Sequence, residues 1–244
     1  TLRDIALKEG PLGLALLDGV LELQVTGLGI AADGSMTLNG VPVTLDWQEF
    51  FSGDADFQRR ITVAGLADND ARRALKLPQW SFLDGDVPTE LTYTKFFDGS
   101  AEVAVAADLA ATVLDFPQIF WRKPLGRPAT LNMFVAVPSA GPPVIEELRL
   151  HAGDMRVNAR IEPTLDLTEP RVLEFRTLEF AGNQLQGRMV RARDGGFDID
   201  LTGARAVITP YLGRESEVDA RASGVAIKNS DRAMASTVSG MLSV

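Results

Sequence analysis

Side chains capable of nucleophilic, acid–base or metal chemistry are few and scattered in this chain. His151 is the single histidine, so a Ser-His-Asp relay could be assembled only around it, and a site with several histidine ligands is excluded. It falls at the end of a strand-like run, next to Ala152-Gly153, where a half-exposed strand-end histidine is the simpler expectation. There is no cysteine, which removes disulfides and thiolate ligands together. Asp194, Asp198 and Asp200 offer carboxylates for calcium. Their spacing lacks the ligand series of an EF-hand loop, and Asp198 and Asp200 share one face of a strand, so a solvated polar face is expected. Nothing singles out a carboxylate pair for glycoside hydrolysis. Glycines sit singly at turns rather than in a phosphate-cradling loop. One segment stands apart: Asp115 to Pro128 gathers Phe116, Phe120 and Trp121 with Arg122, Lys123 and Arg127. Such a mixture can touch a membrane surface; the alternative, which we expect, is that its aromatics plug one end of a core.

With so little chemistry on offer, the elements that would position it become the main subject. The chain has 244 residues, 45% of them hydrophobic and 23% charged, so it can bury apolar surface and is expected to fold. A net charge of -9 and a pI near 4.7 argue against a nucleic-acid partner, which would need clustered Lys and Arg. No apolar run approaches the length of a membrane-spanning helix. No leader is visible before the first patterned segment, and we expect this to be an excerpt of a longer chain whose targeting signal lies elsewhere.

The dominant signal is alternation of apolar and polar residues with period two, which sends alternate side chains to opposite faces of a strand. Leu21, Leu23 and Val25 alternate with Glu22, Gln24 and Thr26; Val41, Val43, Leu45 and Trp47 with Thr44 and Asp46. Ile61 and Val63, Leu91 and Tyr93, Val103 and Val105, and Leu131, Met133, Val135 and Val137 repeat the pattern. Leu148 and Leu150 follow, then Met155, Val157, Ala159 and Ile161, and last Phe197, Ile199 and Leu201. Turn signals at Asp33-Gly34, Asp98-Gly99, Gly153-Asp154, Gly182-Asn183 and Asp194-Gly195 separate the runs, as expected of antiparallel hairpins in sequence order. Two short helices are predicted, one capped by Asp68 or Asp70 and running through Leu75, the other capped by Ser230 and placing Met234, Val238, Met241 and Leu242 on one face.

A repeat underlies the strands. Val41-Pro42-Val43-Thr44-Leu45-Asp46-Trp47 matches Val87-Pro88-Thr89-Glu90-Leu91-Thr92-Tyr93, and Pro128-Ala129-Thr130-Leu131-Asn132-Met133 keeps the proline, the leucine and a bulky last residue. A glycine precedes each proline, at Gly40, Gly85 and Gly126. This implies a turn feeding a strand whose first residue need not donate to the ladder, in units that stack on their neighbours.

These residues carry a resemblance. The run Gly40 to Trp47, the Asp70 to Leu75 segment followed by Gly85-Asp86-Val87-Pro88, and the connection Lys123 to Pro128 look like the AsmA-like proteins. So does Gly195 to Gly203 with Pro210-Tyr211-Leu212. The similarity is greatest to the large YhdP-type members and more distant to TamB, covers roughly residues 4–212, and rests on order and texture rather than one specific motif. It implies a non-enzymatic periplasmic protein, anchored in the inner membrane through a segment outside this sequence. It further implies a long curved β-groove that lets phospholipid pass between inner and outer membranes, with no catalytic residues to carry over.

The expectation is therefore a mainly β chain: an elongated, twisted and curled antiparallel sheet of repeating hairpin units, groove-like, with one or two short helices. Residues 1–213 form the groove segment, and 214–244 a continuation with a possible strand and a short C-terminal helix. Strand parity assigns the groove lining to Leu21, Leu23, Val25, Val43, Leu45, Trp47, Ile61, Val63, Leu91, Tyr93, Val103, Val105, Leu131, Met133, Val135, Leu148, Leu150, Met155, Val157 and Ile161. Phospholipid acyl chains, the rest of the longer chain and the two membranes are the expected partners, with no nucleic acid, cofactor or metal. An apolar sheet face must be covered by a second layer, by curling or by a ligand. Hence a closed β-sandwich of the cell envelope is the main alternative. An outer-membrane barrel and a hydrolase of envelope polymers are the others.

Overall fold

The computed structural model describes residues 2–7, 15–77, 79–164, 169–193, 195–207, 226–229 and 236–242, with backbone alone for 2–7, 16, 226–229 and 236–242. Asp194, Pro210-Tyr211-Leu212, Ser230 and Met234 lie outside the described residues.

The first strands are β1 (Leu2–Leu7), β2 (Leu16–Val25), β3 (Gly29–Leu38), β4 (Val41–Phe50) and β5 (Arg59–Leu66). A helix α1 (Asn69–Ala74) and a short strand β6 (Leu83–Gly85) precede β7 (Pro88–Lys95) and β8 (Ala101–Asp108). Next come β9 (Thr112–Phe116), a 3-10 turn at Pro117–Ile119, β10 (Trp121–Lys123) and β11 (Ala129–Val137). The remainder are β12 (Val144–Ala152), β13 (Met155–Pro163), β14 (Pro170–Phe180), β15 (Asn183–Arg191), β16 (Phe197–Arg205), β17 (Ala226–Asn229) and β18 (Ser236–Leu242). Fifteen strands form one antiparallel sheet in the order β1-β2-β3-β4-β5-β7-β8-β11-β12-β13-β14-β15-β16-β18-β17, and β10-β9-β6 form a small second one. The large sheet is open, twisted and curled, as the alternation predicts, and neither a closed barrel nor a two-sheet sandwich.

Neighbouring strands follow one another in sequence except where β6 and then β9 with β10 are set aside, and at the last edge, where β18 lies between β16 and β17. Both insertions, residues 67–87 and 109–128, leave from the same ends of the strands as the tight turns at 39–40, 153–154 and 181–182. All the material of the second layer therefore gathers along one long edge of the sheet. Among the described residues, the opposite edge has the connections between β2 and β3, β4 and β5, β7 and β8, β11 and β12, β13 and β14, and β15 and β16.

This arrangement gives the sequence repeat a physical unit. Val41, Pro88 and Ala129 each open a strand at the capped edge, and Gly40, Gly85 and Gly126 all have positive φ, at 84°, 115° and 80°. Each repeat is a hairpin that leaves the cap and returns to it, followed in two cases by an inserted piece of cap.

Helix α1 forms as the sequence predicts, with Asp68 as its N-cap: the side chain accepts from the Ala71 amide at 2.7 Å. The predicted C-terminal helix does not form. Val238, Met241 and Leu242 belong instead to β18, which pairs with β16 from Phe197↔Leu242 to Gly203↔Ser236. A run containing Thr237 and Val238 next to an unpaired strand edge gains more from ladder hydrogen bonds than from a short isolated helix.

Candidate functional site

Directly paired residues of an antiparallel sheet share a face, so the registers can be followed across the strands as rows. A central row runs Leu21, Gly34, Leu45, Val63, Leu91, Val105, Met133, Leu148, Ala159, Phe175, Gly187, Leu201. Toward the open edge the next row is Leu23, Ala32, Trp47, Ile61, Tyr93, Val103, Val135, Ile145, Ile161, Leu173, Met189, Ile199. Toward the cap lie Met36, Val43, Gly65, Thr89, Ala107, Leu131, Leu150, Val157, Leu178, Leu185 and Gly203. No charged residue interrupts these three rows. With strands ~4.8 Å apart, the twelve strands from β2 to β16 make an apolar floor about 50 Å long.

Two bulges keep the rows aligned. Between Ile145 and Leu148 of β12, three steps oppose two on both β11 and β13. Between Phe175 and Leu178 of β14, three steps oppose two on β13 and β15. Each bulge resets parity, so odd-spaced apolar residues land on the same face, and each adds local twist. Gly187 serves the floor by lacking a side chain: a Cβ there would sit 2.2 Å from the Asp200 carbonyl oxygen.

Of the expected lining residues, Leu21, Leu45, Val63, Leu91, Val105, Met133 and Leu148 fall in the central row. Leu23, Trp47, Ile61, Tyr93, Val103, Val135 and Ile161 fall in the row toward the open edge, and Val43, Leu131, Leu150 and Val157 in the row toward the cap. Val25 lies beyond them at the open rim, opposite Ile30, and Met155 at the capped end, opposite Ala152. Leu21, Val43 and Met155 are buried against the cap and so are core rather than accessible lining. Strand parity overlooks Ile145, Leu173, Phe175, Leu178, Leu185 and Met189, which complete the floor through β12, β14 and β15. For Leu173, Phe175 and Leu178 the signal was the apolar content of Val172 to Leu178, hidden by the bulge that breaks its alternation.

The floor differs from a core in its exposure. Leu23 and Leu91 are 38% and 37% exposed. Apart from Leu21, Ala32, Met36, Val43, Ala107 and Ala159, which are buried, the other side chains of the three rows are half-buried. Neighbours shield each side chain laterally as the sheet curls, while nothing among the described residues packs on top of the floor's middle.

Among the described residues, the second layer lies along the capped edge. There Leu114 of β9 and Trp121 of β10 join Val87, Leu109, Ala129, Ala152, Met155 and Phe180 in a closed core. Trp80, Phe82, Phe116 and Trp121 form a continuous aromatic series, with centroids 6.1, 4.8 and 5.9 Å apart. Trp121 Nε1 donates to Asp154 Oδ1 at 2.8 Å, and Asp154 Oδ2 accepts from the Ala181 amide at 3.2 Å, tying the small sheet to two hairpin turns. Lys123, 2% exposed, donates from Nζ to the carbonyls of Thr112, Pro124 and Ala110 at 2.6, 3.2 and 3.4 Å; burial holds its pKa below the ordinary lysine value. Helix α1 covers the neighbouring strands through Ala71, packed with Leu21, Met36, Val41 and Val43. Asn39 Nδ2 donates to the Ala74 carbonyl at 2.8 Å to hold the helix end. Arg72, also buried, donates to the carbonyls of Ala67 and Gly85 at 2.6 and 3.1 Å. The segment from Asp115 to Pro128 is thus mainly a plug, with Phe120 and Leu125 on its exterior.

Charge enters the apolar face only at the open rim. The row after Trp47, Ile61 and Tyr93 contains Glu49, Arg59 and Lys95 in register, and farther along Arg191. Arg59 Nε and Nη2 donate to Glu49 Oε2 and Oε1 at 2.9 and 2.7 Å, a two-pronged pair that lowers the Glu49 pKa and raises that of Arg59. Arg191 pairs with Glu169 at 2.5 Å. The opposite face of the sheet is polar and laced with ion pairs, the densest around Arg160, which donates to Glu146 at 3.0 Å and Glu162 at 2.6 Å. These contacts, led by Arg160's own hydrogen bond, lower the Glu162 pKa.

Residues considered for chemistry stay apart. His151 is exposed and pairs across strands with Thr130 and Arg156. Asp198 and Asp200 lie opposite Val190 and Arg188 on the polar face, and no group of His, Asp or Glu among the described residues could hold a metal. A shallow depression lined by Glu90, Thr92, Ala104, Ala106, Asn132, Phe134 and Glu147 lies on the polar face rather than on the floor. Among the described residues no helix is long and apolar enough to cross a membrane. No family model, no curated protein and no solved structure matches this chain.

Proposed function

We propose that this chain is a lipid-holding segment of an envelope-spanning protein, in which phospholipid acyl chains lie on the apolar floor as they pass between inner and outer membranes. The observation that carries the reading is the uncharged three-row floor, largely half-buried over twelve strands, with no second layer above its middle among the described residues. A soluble sheet that leaves so much contiguous apolar surface open is expected to cover it with a partner. Acyl chains gain about 0.8 kcal/mol per buried CH2 without needing directed polar contacts, which suits a floor with no fixed hydrogen-bonding pattern. On this reading the chain does no covalent chemistry, requires no cofactor, resides in the periplasm and relies on the rest of a longer protein for its inner-membrane anchor.

The test is native mass spectrometry of the purified chain from a Gram-negative host, with lipid extraction alongside. Phospholipid should co-purify with the unaltered protein and be lost when Leu45, Leu91 and Leu131 are changed together to aspartate, with β-sheet circular dichroism retained. A lipid-free protein that also excludes hydrophobic dyes would overturn the reading.

A further inference from the structure

Among the described residues of the open rim, Lys95 is a cation to which no carboxylate is matched. Arg59 spends its guanidinium on Glu49, and Arg191 is matched by Glu169. Lys95, directly opposite Arg59 in the register, has no ion-pair partner among the described residues. On its far side the register places Ala101 and then Val137, neither of which carries a charge. Asp98, in the turn after β7, is engaged by the amide and hydroxyl of Ser100 at 2.9 and 2.6 Å. Arg60, the other cation here, lies over the Phe57 ring at 4.0 Å, with its Nε donating to Thr94. Just inboard are Tyr93 and Ile61 of the apolar floor.

We propose that Lys95, backed by Arg59, is a headgroup subsite: it takes the phosphate of a phospholipid whose acyl chains lie inboard on the floor. The inference rests on the lipid-groove reading and adds to it a preference for an anionic phosphate end. An amphiphile is the ligand that matches a charge placed at the margin of an uncharged surface. A monoanionic phosphate diester can accept hydrogen bonds from an ammonium and from the outer edge of a guanidinium at once. Arg59 remains net-neutralised by Glu49, so Lys95 sets the sign of the site.

The experiment is equilibrium binding of phosphatidylglycerol and of diacylglycerol with identical acyl chains to the full chain, comparing the unaltered protein with Lys95→Gln and Lys95→Glu. Phosphatidylglycerol should be preferred by roughly tenfold, the scale of one charge-assisted hydrogen bond. Lys95→Gln should erase most of that preference and Lys95→Glu reverse it, with diacylglycerol binding unchanged. Both lipids binding with a ratio indifferent to residue 95 would overturn the subsite and leave the groove standing. Neither lipid binding to the unaltered protein would overturn the groove, and the subsite with it. Glycerol phosphate binding as tightly as the whole lipid, in a Lys95-dependent manner, would show a soluble phosphate site and overturn the amphiphile assignment.

Discussion

The two long edges of the sheet solve the same problem in opposite ways. At the capped edge, apolar side chains such as Leu114 and Ala152 are sealed by a second layer. The polar groups buried with them are matched one by one, Lys123 by three carbonyls and Trp121 by Asp154. A few residues along the same strands, side chains of similar type remain half-exposed. The chain therefore can close a core and does so wherever an insertion supplies the cover. The open floor is not a failure of that process, because among the described residues no insertion with a strand or helix of its own leaves from the opposite edge.

The strongest way to break the comparison is to attack the cap. Trp121→Ala removes a buried indole from the aromatic series together with its hydrogen bond to Asp154. It should cost about 3–5 kcal/mol, measured as a drop in the denaturation midpoint. A loss below a third of that would mean the cap contributes no more to stability than the floor. Next comes Lys123→Met, which keeps most of the volume but withdraws the ammonium from three carbonyls, of which Ala110's still accepts from the Gly126 amide. About 1–3 kcal/mol is expected, by the same measurement, and a stabilised variant would show that desolvation of the ammonium outweighs its hydrogen bonds.

The floor should respond differently. Leu91 is 37% exposed, so Leu91→Asp should cost no more than about 1 kcal/mol of stability yet diminish co-purifying lipid severalfold. A variant that unfolds as Trp121→Ala does, without first losing lipid, would erase the distinction between floor and core.

The sequence made one side of this contrast legible and hid the other. Alternation through Val43, Leu45 and Trp47 and through Leu131, Met133 and Val135 identified the apolar face correctly, because these strands are regular and register preserves parity. Between Ile161 and Phe197 the alternation is lost, since the step from Phe175 to Leu178 is odd and only a bulge, which is a tertiary feature, reconciles it with the row. The cap was legible only as an odd cluster of aromatics and cations. Whether Lys123 or Arg127 points inward depends on the pairing of β10 with β9, three residues each way, which no local pattern encodes. The Pro-containing repeat was visible, but its meaning was not: spacings that suggested stacked units turn out to sum a hairpin and a piece of cap. Helix against strand at Ser236–Leu242 was decided by the free edge of β16, again a property of the assembled sheet.

The smallest expected effect sits at the open rim and depends on pH. The Arg59 guanidinium holds the Glu49 carboxyl below its ordinary value of 4.5. A carboxylate with a depressed folded pKa contributes stability that is present above the unfolded value and is lost as pH falls through the folded one. The unaltered protein and Glu49→Gln should therefore differ modestly in melting temperature at pH 7 and converge as pH is lowered from 5 toward 3. The margin is small because Arg59 is 40% exposed and solvent screens the pair. A gap that widens on acidification would mean Glu49 is not held by Arg59. Loss of the Glu49 charge by mutation also releases Arg59 next to Lys95, so Glu49→Gln should bind phosphatidylglycerol more tightly at pH 7 while being slightly less stable. Opposite signs for stability and lipid affinity from one substitution would set the rim apart from the cap, where both would fall together.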